Sequence, residues 1–292
     1  MKKSLSILIP TRNDDCTDLV KSLVEQAASI QDLDYEIIVA DDGSTEGTII
    51  AGNRMVGSLH NCRYIVRKEN VGRAAIRNFL AQEAKNEWLL FIDSDMLIIN
   101  SHFLEQYLKT ENQEMVIYGG YKVIGRKLHN LRFHYEKTSE RKHTCRKRRE
   151  HPYLDFHTSN FMILRSLMLE HPLDINYRGY GYEDVAYGKQ LKDAEIKITH
   201  INNPVGFSKF ENNCDFIAKT EESIRTLKAH RKELYGYSRI ILFAEKLRKY
   251  HLRGAIDSLY RRSHNKWRKR LCEGKGSLLL LNLYKVGYYI NS

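Results

Sequence analysis

Glu87-Trp88-Leu89-Leu90-Phe91-Ile92-Asp93-Ser94-Asp95 is the stretch that decides the fold. Residues 88–92 carry no charged side chain, and the run ends abruptly in two carboxylates. A run this short and this apolar reads as a strand covered on both faces, the habit of parallel sheets. The pattern recurs upstream. Ser4-Leu5-Ser6-Ile7-Leu8-Ile9 stops at Pro10, Tyr35-Glu36-Ile37-Ile38-Val39-Ala40 stops at Asp41-Asp42-Gly43-Ser44, and residues 62–66 repeat it. Between these runs lie helical periods, with Leu19, Leu23 and Ala27 in one and Ala74, Ala75, Asn78 and Phe79 in another. Short buried strands alternating with amphipathic helices predict an α/β fold with helices on both faces of the sheet. Such sheets bind ligands at the carboxyl ends of their strands. The polar clusters Thr11-Arg12-Asn13, Asp41-Asp42 and Asp93-Ser94-Asp95 all fall there.

Composition narrows the classes. The 292 residues are 42% hydrophobic and 28% charged, with 4 prolines and 17 glycines, which excludes disordered, collagen-like and mucin-like chains. The net charge of +11 is uneven: from Gly236 onward 13 Lys and Arg face 3 Asp and Glu, and over 122–149 the counts are 11 and 2. The remaining body is acidic, unlike a nucleic-acid coat, and no RNA or DNA motif accompanies Arg146-Lys147-Arg148-Arg149. Five widely spaced cysteines without Cys-x-x-Cys read as structural thiols in a reducing compartment, so the expected location is cytoplasmic. The histidines around Cys145 match no zinc spacing. The apolar run after Met1-Lys2-Lys3 reads as a first strand rather than a signal peptide. The Leu278–Leu283 run is too short to span a membrane.

The second half is less regular. Residues 115–124, 161–164 and 195–201 predict strands, 183–191 and 215–234 predict helices, and 126–149 a long loop or exposed helix. Two carboxylates two apart, Asp93 and Asp95, can share one site where the chain turns. Their repulsion raises one pKa, and a hard divalent cation relieves it. The plain alternative is a turn with a capping Asp. Gly72, ahead of a helix, allows close backbone approach, and Arg77 offers either a charge for phosphate or a surface ion pair.

Taken together, Ser6 to Asn13, Ile38 to Ser44, Asn70 to Asn78 and Phe91 to Asp95 resemble the family 2 glycosyltransferases in order and spacing. That resemblance implies a GT-A fold: a Rossmann-like nucleotide-binding mixed sheet with helices on both faces, here with a C-terminal helical extension. It implies a glycosyltransferase domain over 1–235, with a donor half of about 1–100 and an acceptor half of about 101–235, then a basic helical tail over 236–292. It implies a UDP-sugar donor, with Pro10, Thr11, Arg12, Asp41 and Asp42 at the nucleoside and Asp42 facing uracil. Asn70, Gly72 and Arg77 would lie toward the diphosphate. Asp93, Ser94 and Asp95 would hold it with Mn²⁺ or Mg²⁺, Asp93 and Asp95 being the metal ligands.

Arg178-Gly179-Tyr180-Gly181-Tyr182-Glu183-Asp184 resembles the Gly-Trp-Gly-Gly-Glu-Asp segment of galactosyltransferase-like and chondroitin-polymerase-like enzymes, with tyrosines at the Trp and second Gly positions. The resemblance makes Asp184 the general base and gives Glu183 acceptor hydrogen bonding. Tyr180, Gly181, Tyr182 and Asn160 would line the acceptor site for a glycan or lipid-linked acceptor. The simple alternative for Glu183 and Asp184 is helix N-capping. Many relatives carry a metal-binding His in a pattern like Asn-Pro-Val-x-His, whereas this chain reads Asn203-Pro204-Val205-Gly206-Phe207. The tail is basic and amphipathic over 239–249 and 259–270, suited either to an anionic membrane surface or to packing on the catalytic domain. The leading expectation is an inverting, metal-dependent transferase in surface polysaccharide synthesis, peripheral on the inner membrane face. The alternatives are a noncatalytic binding protein on a decayed transferase fold and a nucleotidyltransferase.

Overall fold

The computed structural model describes residues 2–111 and 113–292. The chain runs β1 (Ser4–Thr11), α1 (Thr17–Ala28), β2 (Asp34–Asp41), α2 (Gly47–Arg54), β3 (Cys62–Val66), α3 (Arg73–Glu83), β4 (Trp88–Ile92) and β5 (Met96–Leu97). It continues through α4 (Phe103–Leu108), β6 (Val116–Tyr118), β7 (Tyr121–Val123), α5 (Leu131–Glu140), α6 (Cys145–Glu150), β8 (Asn160–Leu164) and α7 (Arg165–Glu170). Then come α8 (Glu183–Asp193), β9 (Ile198–His200), β10 (Val205–Phe207), α9 (Asn213–Ala229), α10 (Arg239–Lys249), α11 (Arg253–Cys272) and α12 (Leu278–Asn291). Two compact units result.

The first unit comprises residues 1–124, 143–178 and 187–209. Its seven-stranded sheet has the order β3-β2-β1-β4-β8-β6-β9. β1, β2, β3 and β4 are parallel, β8 runs antiparallel to β4 and β6, and β6 and β9 are parallel. The sheet is therefore mixed. Every residue of 5–9, 35–41 and 88–92 is buried, which is why those runs lack the alternation of a one-sided strand. Phe91 stacks on Phe161 at 4.9 Å across β4 and β8. Strand order reverses between β1 and β4, the place where open α/β sheets leave a crevice for ligands. Antiparallel β8 returns its first residue to that edge, pairing Asn160 with Ile92. A three-stranded sheet, β5-β10-β7, follows the Asp93–Asp95 turn.

The span expected to be strand over 115–124 is broken at Gly119-Gly120 into two strands of different sheets. A Cβ on Gly119 would meet the Asn203 carbonyl at 2.4 Å and the Asn160 amide nitrogen at 2.5 Å, so only glycine passes there. Residues 126–149 form two short helices, α5 capped by the Asn130 side chain on the Phe133 N–H.

The second unit comprises residues 125–142, 179–186 and 210–292. It holds α5, the first turn of α8, and α9 to α12. Leu131, Phe216, Ile217, Tyr260, Leu271, Leu281 and Tyr284 form its core, so the tail helices pack with α9. Glu221 on α9 accepts from Arg268 Nε at 2.8 Å and from the Tyr284 hydroxyl at 2.6 Å, tying α9 to α11 and α12. Among the described residues, no helix is long and apolar enough to cross a membrane.

Candidate active site

In the first unit the loops after β1 and β2 are stitched together by side chains. Asn13, with φ +50°, accepts the Thr45 and Glu46 N–H groups at 2.8 and 3.2 Å and donates its own N–H to Ser44 Oγ at 2.7 Å. Thr11 is buried and donates to the Asp14 carbonyl at 2.9 Å, while Pro10 is half-buried and Arg12 exposed. Asp41 accepts the Ser44 N–H at 2.7 Å and the Tyr64 hydroxyl at 2.5 Å. Burial, and then the bond to Asp41, pushes the Tyr64 hydroxyl's pKa up, so it stays a donor. Asp42 is buried and accepts the Val71 and Gly72 N–H groups at 2.8 and 3.0 Å, one on each oxygen. Each oxygen keeps a lone pair for a further donor. Gly72 at φ +92° lets the chain turn from exposed Asn70 into α3.

Arg73 and Arg77 lie one helical turn apart on α3, so both point at the end of β4. Arg77 is 1% exposed; it donates to the Arg73 carbonyl at 2.9 Å and pairs with one Asp93 oxygen. Arg73 takes the other oxygen at 3.3 Å. Asp93 is thus spent on two guanidinium groups, and Arg77 is committed to holding it.

Asp95 is different. It is half-buried beyond half-buried Ser94, and its carboxyl is pushed up to about 6, first by burial and then by the Asp93 charge; Arg73 and Lys209 oppose the rise and Asp14 adds to it. Asp14 Oδ2 is buried without a hydrogen-bond partner. A carboxylate short of positive charge beside an orphaned carboxylate oxygen fits a hard cation. Phe207, 5% exposed on β10 and paired with Met96, supplies no ligand. Among the described residues, no group of three or more His, Cys, Asp or Glu could hold a metal. A cation here would therefore take most of its ligands from phosphate and water.

Two other polar residues of this unit are structural. Asn160 is 0% exposed; it donates to the Gly120 and Asn203 carbonyls at 2.7 and 3.0 Å and accepts from the Tyr107 hydroxyl at 2.8 Å. Every bond that amide makes is internal, so its side chain pins the edge rather than facing a ligand. His200 accepts from Arg148 Nε at 3.2 Å and donates through Nε2 to the Pro152 carbonyl at 2.9 Å. Burial pushes it down to about 4, so it is neutral.

In the second unit the 179–186 segment turns sharply. Gly181 and Tyr182 both have positive φ, +86° and +71°. A bulky residue in that region is strained, a condition that clusters at functional sites. The Tyr180 N–H donates to Glu222 at 3.0 Å, and Lys219 sits 5.7 Å over the Tyr180 ring. The Tyr182 hydroxyl hydrogen-bonds with Ser238, and burial keeps it protonated. Glu183 is buried and Asp184 half-buried in the first turn of α8. Asp184 Oδ1 accepts the Val185 N–H at 2.8 Å.

Sequence reasoning missed Arg73, Asp14, Tyr64 and Lys209 at the strand-end edge, though it placed Asn13 there. Arg73 had a signal, its spacing of four from Arg77; the others had none.

Residues 6–171 match the family described as Glycosyl transferase family 2. A poly(ribitol-phosphate) beta-glucosyltransferase of Bacillus spizizenii is 36% identical over 124 residues, 41% of this chain and 19% of that protein. A UDP-Glc:alpha-D-GlcNAc-diphosphoundecaprenol beta-1,3-glucosyltransferase of Escherichia coli is 32% identical over 111 residues, 37% of this chain and 42% of that protein. The aligned stretches span less than half of these curated relatives. Among solved structures, S. aureus TarS 1–349 has a TM-score of 0.53 at 16% identity, over 98% of this chain and 90% of that one. A Pyrobaculum calidifontis mannosyltransferase, in complex with GDP-Man and Mn²⁺, has a TM-score of 0.57 at 13% identity, over 99% and 85%.

Proposed function

The chain belongs to glycosyl transferase family 2, and from that premise we propose that it moves a sugar from a UDP-sugar to a hydroxyl of a glycan or lipid-linked acceptor, with inversion at the anomeric carbon. The observation that carries this reading is the edge at the β1/β4 reversal, where Asp42, the Arg73–Asp93–Arg77 cluster and Asp95 converge. Asp42 keeps an acceptor for the uracil N–H while its other bonds hold the Val71-Gly72 turn. Arg77 and Arg73 fix Asp93, which sets the turn that presents Asp95. Asp95 would hold Mn²⁺ or Mg²⁺ together with the donor; such a cation, when bound, neutralises charge on the departing diphosphate. By the resemblance, Asp184 takes the acceptor proton and Glu183 bonds the acceptor, with Tyr180 and Tyr182 as sugar platforms. A single displacement then gives inversion.

Release of UDP from a panel of nucleotide sugars, with Mn²⁺ or EDTA, tests this on wild type and Asp95→Ala. Metal-dependent release from one donor, lost in the variant, supports the reading. If no donor is cleaved with acceptor extracts present, and UDP with Mn²⁺ leaves the Tm unmoved, the noncatalytic alternative gains.

The acceptor's lipid link is supported by the second unit's surface. Leu242 and Phe243 on α10, then Tyr250 and Leu252, are exposed among Arg239, Lys246, Arg248 and Lys249. Apolar side chains ringed by cations suit an anionic membrane surface. Sedimentation with phosphatidylglycerol vesicles but not phosphatidylcholine vesicles is the expected result, and equal sedimentation with both would contradict it.

A further inference from the structure

One cation of the first unit has no part in the proposed transfer. Lys209 lies two residues beyond β10. Antiparallel pairing of Phe207 with Met96 and of Gly206 with Leu97 carries the chain after Phe207 back along the Asp93–Asp95 turn. Lys209 Nζ donates to Asp14 Oδ1 at 2.5 Å and to the Asp15 carbonyl at 3.0 Å, so its ammonium stands over the loop after β1. The charges of Lys209 and of Asp14 both reach Asp95. An ammonium is therefore held between the ends of β1 and β4, beside the position where the family resemblance implies a histidine and this chain has Phe207.

The pair that holds it is weak. The Lys209 side chain is 45% exposed and that of Asp14 22%, so water reaches the ammonium end of the pair and screens it, and pairs open to solvent are worth about 0–1 kcal/mol. A diphosphate presents more charge and more acceptor oxygens than one carboxylate, and charge-assisted bonds to it are stronger. The clamp engages one oxygen of Asp14 and leaves Asp14 Oδ2 buried without a hydrogen-bond partner.

We propose that Lys209 is a donor-diphosphate-binding residue, leaving Asp14 for the phosphates and supplying part of the positive charge that a metal held at position 207 would supply. The inference rests on the reading of this edge as a nucleoside-diphosphate site. Phe207 then keeps the turn dry and packed while the charge comes from two residues further on. The donor site would hold UDP without a cation, though less tightly than with one.

Calorimetric titration of UDP and of uridine, in EDTA and in Mn²⁺, tests it on wild type, Lys209→Met and Lys209→Arg. Uridine reports the base site and the fold, which a clamp role would disturb equally for both ligands. In EDTA, wild type should bind UDP about tenfold or more tighter than uridine, the worth of one charge-assisted bond. Lys209→Met should bring that ratio near one with uridine binding unchanged, and Lys209→Arg should keep it. A ratio that survives in Lys209→Met, or that is already near one in wild type, overturns the inference while leaving the donor site standing if UDP binds in Mn²⁺. If UDP fails to bind even in Mn²⁺, the donor reading falls and this inference with it.

Discussion

The strand-end edge of the first unit and the 179–186 segment of the second each carry a pair of acids, and the pairs are held in opposite ways. Asp93 and Asp95 sit on a turn set by a buried sheet, and two arginines from α3 saturate the first and leave the second short of charge. Glu183 and Asp184 sit in the first turn of α8, after two consecutive positive-φ residues. In the first case rigidity comes from ion pairs and depth; in the second it comes from backbone strain and a helix dipole. On the proposed reading Asp93 is scaffold and Asp95 is the acid left for a ligand, although both are written Asp.

Asp93→Asn breaks that contrast most severely. It leaves Arg77 buried without its counter-charge, and losing one partner of a buried pair costs about 3–5 kcal/mol. The Tm should drop by many degrees, with UDP binding lost along with the fold. A Tm near wild type would mean that Asp93 is not the scaffold acid.

Acid should next loosen the first unit through His200. Its pKa of about 4 in the fold lies below the ordinary 6.5, so between those values the unfolded chain binds the extra proton. The stability from a neutral His200 is complete above pH 6.5 and lost as pH falls toward 4, roughly 3 kcal/mol in all. Urea midpoints across that range should fall in wild type and much less steeply in His200→Gln. Equal slopes would contradict the assignment.

Asp95→Asn sharpens the contrast from the other side. Burial and Asp93 disfavour its charge, so removing it should stabilise the protein in EDTA at pH 8 by about 1–2 kcal/mol. The carboxyl's pKa in the fold lies above its unfolded value, so its cost is present at high pH and gone below pH 4; the variant's advantage should vanish there. Melting in EDTA at the two pH values checks this, and a loss of stability at pH 8 would sink it.

The smallest effect lies in the second unit. Gly181→Ala forces a Cβ into φ +86°, 3.0 Å from the Ser223 Cβ, at a cost of about 1 kcal/mol. A melting curve that does not move on Gly181→Ala would mean that the segment yields without strain.

Much of the first unit was legible because its strands are buried on both faces and stop at polar clusters. Residues 4–9, 35–40, 62–66 and 87–92 became β1 to β4 almost unchanged. The three-stranded sheet was not legible: strands of two and three residues show no period, and their partners lie some hundred residues apart. The basic stretch over 126–149 reads as a long loop or exposed helix, which hid that Arg148 is buried against carbonyls and the Tyr118 ring. At the site, the positions of the acids could be read but their partners could not. Asn160 sits in a strand whose local pattern says nothing of the Gly120 and Asn203 carbonyls that consume its amide. Lys209 reads as any solvated lysine until β10 is laid beside β5.

The most direct test of a donor site at the β1/β4 edge is a crystal of the protein soaked with UDP and Mn²⁺. The account predicts uracil against Asp42, an anomalous Mn²⁺ peak at the Asp95 carboxylate, and Asp93 still bound by Arg73 and Arg77. A nucleotide seated elsewhere, or a cation held by Asp93 with its arginines displaced, would contradict it.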